Sequence, residues 1–463
     1  MIAIKAKLLH PGYKAEFLRD VYVIVDGNKI SKVTKEKPEG VEIIEAEFVT
    51  PGFVDPHSHI GMERHGEPRY EAETNERLDE IRPLNDPLDG IYFDDRAFKD
   101  AVERGVLYSC VIPGSGNVLG GRAAVIRNFA RHRDEALVRY IGYKMALGYN
   151  PRSTTNRRGT RPNTRMGVYS LLEKKFLEVL RKKEKLDLKT KKEIRGLMEK
   201  LKEGKITRDE FEELSEEIKR INELELTPDE LAILDLLSGR PIAKVHVHKE
   251  DDAYYLIKLV KRFNLNATAE HTCDVHHSYV RADLRKHKIG IVYGPLDSLA
   301  YKVELKHETR KNVKLLMESG AFFGIMSDHP VVMSNTFYLQ MRYFLRFGMS
   351  VEEAIKVLTY HNAKLIGMDD MIGSIRPGML ASMVLRTGNP FDVSNYPKAV
   401  LLEGKLVEFE RGRSSTPSLA TTKRTSMSFF FFIPSGVFSN TVRVCPQIPL
   451  SIIGATSFPP VFN

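Results

Sequence analysis

Eight short apolar runs recur between residues 48 and 328, and helical patterns separate most of them. That alternation is what a βα barrel requires. The runs fall at 48–55, 106–112, 123–126, 140–147, 242–248, 267–271, 289–293 and 321–328. Read as consecutive strands, they predict an α/β chain whose main domain is a TIM (β/α)8 barrel over residues 49–375.

Shorter strands flank this domain. Val21–Val25 and Lys29–Val33 meet at an Asp26-Gly27 turn, a strong hairpin signal. Near the other end, Met383–Leu385, Ala399–Leu402 and Leu406–Glu408 are strand-like. Residues 1–48 and 376–411 are therefore expected to build one small β-sandwich. The gap between the fourth and fifth barrel strands is far longer than a βα connection needs. Residues 167–239 fill it with Lys, Glu and Leu at helical spacing, and Thr207 with Glu210 and Thr227-Pro228-Asp229-Glu230 read as helix starts. An inserted helical subdomain follows. Its charged face, without His or Cys, fits a lid-side decoration or a subunit contact better than catalysis. From Gly412 to Asn463 there is not one Asp or Glu, and Phe429–Phe432 form an unbroken run. Such a tail, without periodicity, is expected to be disordered or foreign to the fold.

The formal net charge is +9, but Lys and Arg are mixed with acids nearly everywhere. That pattern reads as solvated helix faces, so nucleic acid is not an expected partner. No apolar run reaches the length that spans a bilayer, so no membrane is expected, and Met1–Lys5 alternates like a strand rather than a signal peptide. Three cysteines, Cys110, Cys273 and Cys445, are far apart and odd in number. They argue against a disulfide framework and for a reducing, cytoplasmic setting.

Chemistry-bearing residues gather at the strand ends. Thr50-Pro51-Gly52-Phe53-Val54-Asp55-Pro56-His57-Ser58-His59 reads as a buried strand ending in His-x-His. Side chains alternate faces on a strand, so His57 and His59 point the same way and can share a metal ion. Lys144 sits in the fourth strand, where a Lys facing a barrel interior is costly unless paired or modified. His246 and His248 share a face of the fifth strand, His271 ends the sixth, and Asp328 ends the eighth. The Gly-rich stretch 113–121 lacks the Gly-Lys-Ser/Thr ending of a phosphate loop. It reads as an active-site loop with Arg122 as a carboxylate contact. Tyr301 and Arg310, after the seventh strand, are further substrate-side candidates. His276 and His277 read as surface or supporting residues, and Cys110 and Cys273 as small packed ones.

The segments Gly142–Pro151, His246–Lys249, Gly290–Leu296 with Lys302–Leu305, and Ser327–Val332 resemble the imidazolonepropionase-related amidohydrolases, and the resemblance extends over residues 1–410. It implies chemistry at the C-terminal ends of the barrel strands. It further implies that His57 and His59 hold one divalent ion and His246 and His271 another. Lys144 would bridge them as a carbamate. Asp328 would complete the first ion and take a proton from the attacking water, and His248 would contact substrate. One or two ions are implied, zinc first, with manganese, iron or cobalt also suited to imidazole and carboxylate ligands. One departure stands out: Met379-Leu380-Ala381-Ser382 follows Pro377-Gly378 where relatives carry Asp-Ala-Asp. It bears on the packing of the returning strand, not on the chemistry.

The leading expectation is metal-dependent hydrolysis of a carbon–nitrogen bond in a small molecule, such as a cyclic amide or N-acyl compound. A prolidase-like metallo-dipeptidase is the nearest alternative, and a mononuclear site with unmodified Lys144 is another. A catalytically inactive scaffold would have broken ligand positions, and none is broken. Oligomeric state, including a homo-oligomer, stays open at this stage.

Overall fold

In the computed structural model, residues 1–65, 71–153, 161–296 and 302–409 are described. Tyr301, Cys445 and the acid-free stretch from Gly412 onward lie outside them. The described strands are β1 (Ile2–Leu9), β2 (Leu18–Asp26), β3 (Lys29–Thr34), β4 (Glu42–Pro51), β5 (Phe53–Ser58), β6 (Val106–Val111), β7 (Leu119–Arg127), β8 (Leu137–Ala146), β9 (Ile242–Val247), β10 (Asn266–His271), β11 (Gly290–Tyr293), β12 (Phe323–Ile325), β13 (Met383–Arg386), β14 (Pro397–Leu402) and β15 (Lys405–Glu408). They form two sheets.

The flanking strands join in one seven-stranded sheet, ordered β15-β14-β13-β4-β1-β2-β3. The expected two-layered sandwich is thus a single sheet that curls. Ile30 N–H donates to Met379 O at 2.9 Å, Gly378 N–H to Ile30 O at 2.8 Å, and Ala381 N–H to Asn28 O at 2.8 Å. The segment leading into β13 thereby meets the opposite end of the sheet. Met379, one of the departures noted in sequence, packs inside that curl with Ile4, Val23, Val49 and Leu401. Strand β4 belongs wholly to this sheet. The chain breaks step at Gly52, so the first barrel strand begins at Phe53 rather than at Phe48.

Strands β5 to β12 form the second sheet, in chain order. Every residue of β5 and β6 is buried, as expected where both faces of a strand are covered. The sheet is barrel-like but not all parallel: β7 runs antiparallel to both β6 and β8. The reason is length. Only Ile112–Val118 joins β6 to β7, too short for the dozen-residue crossover that a parallel pair requires.

The seam between β12 and β5 is closed largely by side chains. Asn362 Nδ2 donates to Val54 O at 2.7 Å and to Ile325 O at 3.0 Å, while its Oδ1 accepts from Ile325 N–H at 3.0 Å. Higher up, Asp328 N–H donates to His57 O at 3.1 Å, and Ser327 N–H to Asp55 Oδ1 at 3.1 Å.

Between β8 and β9 the chain forms helices Arg165–Lys202, Arg208–Glu223 and Pro228–Leu237. Capping boxes at Thr207/Glu210 and Thr227/Glu230 start the second and third. Val168, Leu172, Phe176 and Val179 of the first helix join the main core. Its opening turn is tied to helix Glu250–Phe263 by an Arg165–Asp251 ion pair of 2.6 Å and a Tyr169–Asp252 hydrogen bond. Among the described residues, no helix is long and apolar enough to cross a membrane.

Candidate active site

Five imidazoles stand at one end of the barrel in a row that closes into a triangle, because His248 lies 4.8 Å from His271 as well as from His246. Successive ring centroids lie 5.6 Å (His59–His57), 4.9 Å (His57–His271), 4.3 Å (His271–His246) and 4.8 Å (His246–His248) apart. All five histidines are buried. One carboxylate stands beside His57 and His59, and a second beside His246. Asp328 Oδ1 is 3.3 Å from His57 Nε2 and 3.2 Å from His59 Nε2, and Glu304 Oε2 is 4.0 Å from His246 Nε2.

The rings are oriented from behind. His57 Nδ1 donates to Glu270 Oε2 at 2.7 Å, His59 Nδ1 to Ile112 O at 2.7 Å, and His271 Nδ1 to Gly294 O at 2.9 Å. With Nδ1 occupied, Nε2 of each ring carries the lone pair and is the atom presented to a ligand. Burial pushes the His57, His246 and His271 imidazoles below their ordinary range, which keeps them neutral. Burial alone would raise the Asp328 carboxyl. His271, His57 and His59 outweigh it and hold the group well below the usual carboxylate range.

Lys144 is fully buried, its Nζ 3.3 Å from His57 Nε2. Burial pushes its amine down to about 8. Lys244 lies beside it in the β8–β9 register, also fully buried, and pairs with Glu270 Oε1 at 3.0 Å. Glu270 therefore holds Lys244 with one oxygen and His57 with the other, and Thr268 Oγ donates to it as well. Burial opposes ionisation here too, but Lys244 and the His57 hydrogen bond take the Glu270 carboxyl down to about 2.

Sequence reasoning missed Glu270 for a physical reason. Neighbours on a regular strand face opposite sides, so placing His271 inward sends Glu270 outward. In the fold Glu270 faces inward in register with His246, and His271 reaches the same side because its φ is 76°. Lys244 was legible, since it shares alternation with His246 and His248. Glu304 carried no signal beyond its place in the Lys302–Leu305 segment.

Of the residues predicted from sequence, His57, His59, Lys144, His246, His248, His271 and Asp328 converge. Arg122 does not join them. It pairs in register with Tyr143, one step from inward-facing Lys144, so its side chain takes the outer face. There its guanidinium lies over the Tyr140 ring at 5.3 Å, in a cleft of about 530 Å³ that Arg139 and Arg240 also line. Arg310 lies over Tyr343 at 5.2 Å, and Tyr301 is outside the described residues. The Gly-rich loop does reach the site, through Ser115 Oγ, which accepts from Asn150 Nδ2 at 2.6 Å, and Asn150 Nδ2 in turn lies 3.4 Å from His246 Nε2. His276 and His277 sit apart from the row, bonded to Glu250. Cys110 and Cys273 are buried free thiols, each pushed up by burial, which makes them inert as nucleophiles.

The donor set fits a divalent metal. His57, His271 and Asp328, and separately His246, His248 and His271, each bring ligand atoms within 4.8 Å of one another. His246 Nδ1 and both nitrogens of His248 are buried without a hydrogen-bond partner. Neutral imidazoles beside an ionised carboxylate are the ligand states a zinc-like ion requires.

The amidohydrolase family model matches residues 48–407. An amidohydrolase from Thermotoga maritima MSB8 is similar over 89% of this chain and 100% of that chain, at 30% identity and a TM-score of 0.76. Amidohydrolase tasK of Hapsidospora irregularis is 25% identical over 82% of this chain, which spans only 39% of that protein's length. A prolidase complexed with N-methylphosphonate-L-proline shares the fold at a TM-score of 0.54 and 16% identity, over 88% of this chain and 100% of its own. With the matched span carrying every residue of the imidazole row, the chain belongs to the amidohydrolase family.

Proposed function

We propose that the protein is a metal-dependent hydrolase of carbon–nitrogen bonds in small molecules, acting on a cyclic amide or an N-acyl compound. The observation that carries this reading is the meeting of His57 Nε2 and His59 Nε2 on one oxygen of buried, ionised Asp328. On this reading residues 49–375 carry the chemistry and the curled sheet of the flanks supports it.

His57, His59 and Asp328 would hold one divalent ion, and His246 and His271 a second. Lys144 is suited to bridge them. Its amine, pushed down to about 8, offers the neutral nitrogen that adds to carbon dioxide to give a carbamate. Bound there, a divalent metal would lower the pKa of a water and polarise the scissile carbonyl. Asp328 takes the water's proton and delivers it to the leaving nitrogen. Glu270, Ile112 O and Gly294 O fix the three imidazoles through Nδ1 and would leave Nε2 free for a metal. No Ser or Cys nucleophile is needed.

Metal analysis of protein purified without chelator, followed by amide-hydrolysis assays, tests the reading. About two ions per chain support the bridged site. About one favours a mononuclear site and removes Lys144 from the chemistry. No metal, with no hydrolysis after zinc or manganese is added, overturns the reading in favour of an inactive scaffold.

A metallo-dipeptidase is the second reading. It is favoured by the second carboxylate, beside His246, which a purely neutral substrate would leave unmatched.

A further inference from the structure

That carboxylate, Glu304, is built into the site with care. It sits in the short 3-10 turn Val303–Leu305 after β11 and is 2% exposed. Oε1 accepts from Tyr149 N–H at 2.6 Å. Gly148, at φ +79°, makes room for it, since a Cβ there would lie 2.3 Å from Oε1. Any side chain at 148 would displace the carboxylate.

Oε2 is left over. It is buried with no hydrogen-bond partner, and among the described residues no Lys or Arg nitrogen lies within ion-pair reach of Glu304. The charge of Lys302 acts on His246 and His248, but Lys302 makes no ion pair with Glu304. A buried carboxylate oxygen without a hydrogen-bond partner is costly, so a charged donor from outside the chain would be favoured there. Asp252 adds to the demand. Its Oδ2 is also buried without a partner, and it faces the same side of Gly148, 3.1 Å from where a Cβ would lie. His248 lies beside His246, with neither ring nitrogen bonded. The place therefore offers a carboxylate oxygen and an imidazole nitrogen on the His246 side of the site, while Asp328 stands beside His57 and His59. An ammonium group has three N–H donors in a compact head and matches such acceptors.

We propose that Glu304, with His248 beside it, receives a protonated amine of the substrate, so that the amides this enzyme cleaves carry a free amino group. The inference rests on the hydrolase reading and fixes the polarity of the bound molecule. The scissile bond lies toward Asp328, and the amine toward Glu304. Glu304 is a specificity-determining residue here, not part of the proton transfer.

The test uses two phosphonates, 1-aminoethylphosphonate and ethylphosphonate, which differ only in the amine. Calorimetric titration of zinc-loaded full-length protein should give about tenfold or tighter binding of the amino compound. Glu304→Gln keeps the acceptor for Tyr149 N–H and removes the charge. It should abolish that ratio while leaving ethylphosphonate affinity and zinc content unchanged. Glu304→Asp, which keeps a carboxylate, should retain part of the ratio. Equal binding of both phosphonates by wild type, or an unchanged ratio in Glu304→Gln, overturns the proposal. So does loss of zinc in Glu304→Gln, which would make Glu304 a metal ligand. If the protein binds no zinc and neither phosphonate, the hydrolase reading has failed first and takes this inference with it.

Discussion

The Lys244–Glu270 pair allows a sharp test of how the site is held. Both side chains are fully buried, and Nζ lies 3.0 Å from Oε1. At an effective dielectric of about 20, that separation corresponds to roughly 5 kcal/mol of attraction, most of which offsets the desolvation of the two ions. Glu270→Gln leaves Lys244 charged in the barrel interior and should destabilise the protein by about 3–5 kcal/mol. Lys244→Met leaves Glu270 with only His57 and Thr268 and should cost a similar amount. Removing both charges together strands neither, so the double variant should lose far less than the sum. The coupling energy should be on the order of 3 kcal/mol. Urea unfolding of metal-free protein at constant m measures it, because bound metal would otherwise add its own stabilisation. Additive losses, with a coupling below about 0.5 kcal/mol, would refute the view that the two charges sustain each other. A further variant reports on the site. Glu270→Leu removes the acceptor for His57 Nδ1–H and should lower zinc affinity about 10–100-fold.

Three further outcomes follow from the geometry. Asn362→Leu deprives Val54 O, Ile325 N–H and Ile325 O of their partners at the barrel seam and should cost about 3 kcal/mol, read as a shift in urea midpoint; a change within about 0.5 kcal/mol would mean the seam is held elsewhere. Burial raises the Asp252 carboxyl to about 6 from 3.8, so the folded state binds its proton more tightly and the group's contribution to stability falls as pH rises from 3.8 to about 6. Asp252→Asn should be flatter over that window, and parallel pH profiles of the urea midpoint would contradict the assignment. Asp328→Asn should lower kcat by about 10² or more while the fold, followed by circular dichroism, persists; full activity would remove Asp328 from the proton transfer.

Much of the site was legible in the sequence because strand alternation is a strict rule. His57 with His59, and His246 with His248, needed only a period of two to be placed on one face. Lys144, His271 and Asp328 came from the resemblance of their surrounding segments rather than from spacing. Elements that depend on departures from regularity were hidden. Arg122 looked substrate-facing because it was read as the end of the Gly-rich loop, yet it lies within the antiparallel strand β7, and its register with Tyr143 turns it outward. The single curled sheet was read as two layers because strand patterns alone do not say how a sheet bends. Asn362 gave no signal, since one amide closing a barrel seam is a contact between chain segments about 300 residues apart.

Three of the seven described non-glycine residues with positive φ are candidate ligands or the immediate neighbour of one. His271, Thr272 and Asp328 have φ values of 76°, 54° and 50°, in the left-handed region that costs a non-glycine residue on the order of 1 kcal/mol or more. Glycine would relieve each of them, but it would supply neither imidazole nor carboxylate. The surrounding bonds hold the strained residues in place: Thr272 N–H donates to Val247 O at 2.7 Å, Asp328 N–H to His57 O at 3.1 Å, and His271 Nδ1 to Gly294 O at 2.9 Å. Each bond reaches across to a neighbouring strand or its loop. The turn that lets Glu270 and His271 both face inward is therefore fixed by the sheet, not by the flexibility of a loop. A site set this way would have its candidate ligand atoms in position before an ion arrived, and metal binding would not have to repay the cost of ordering them.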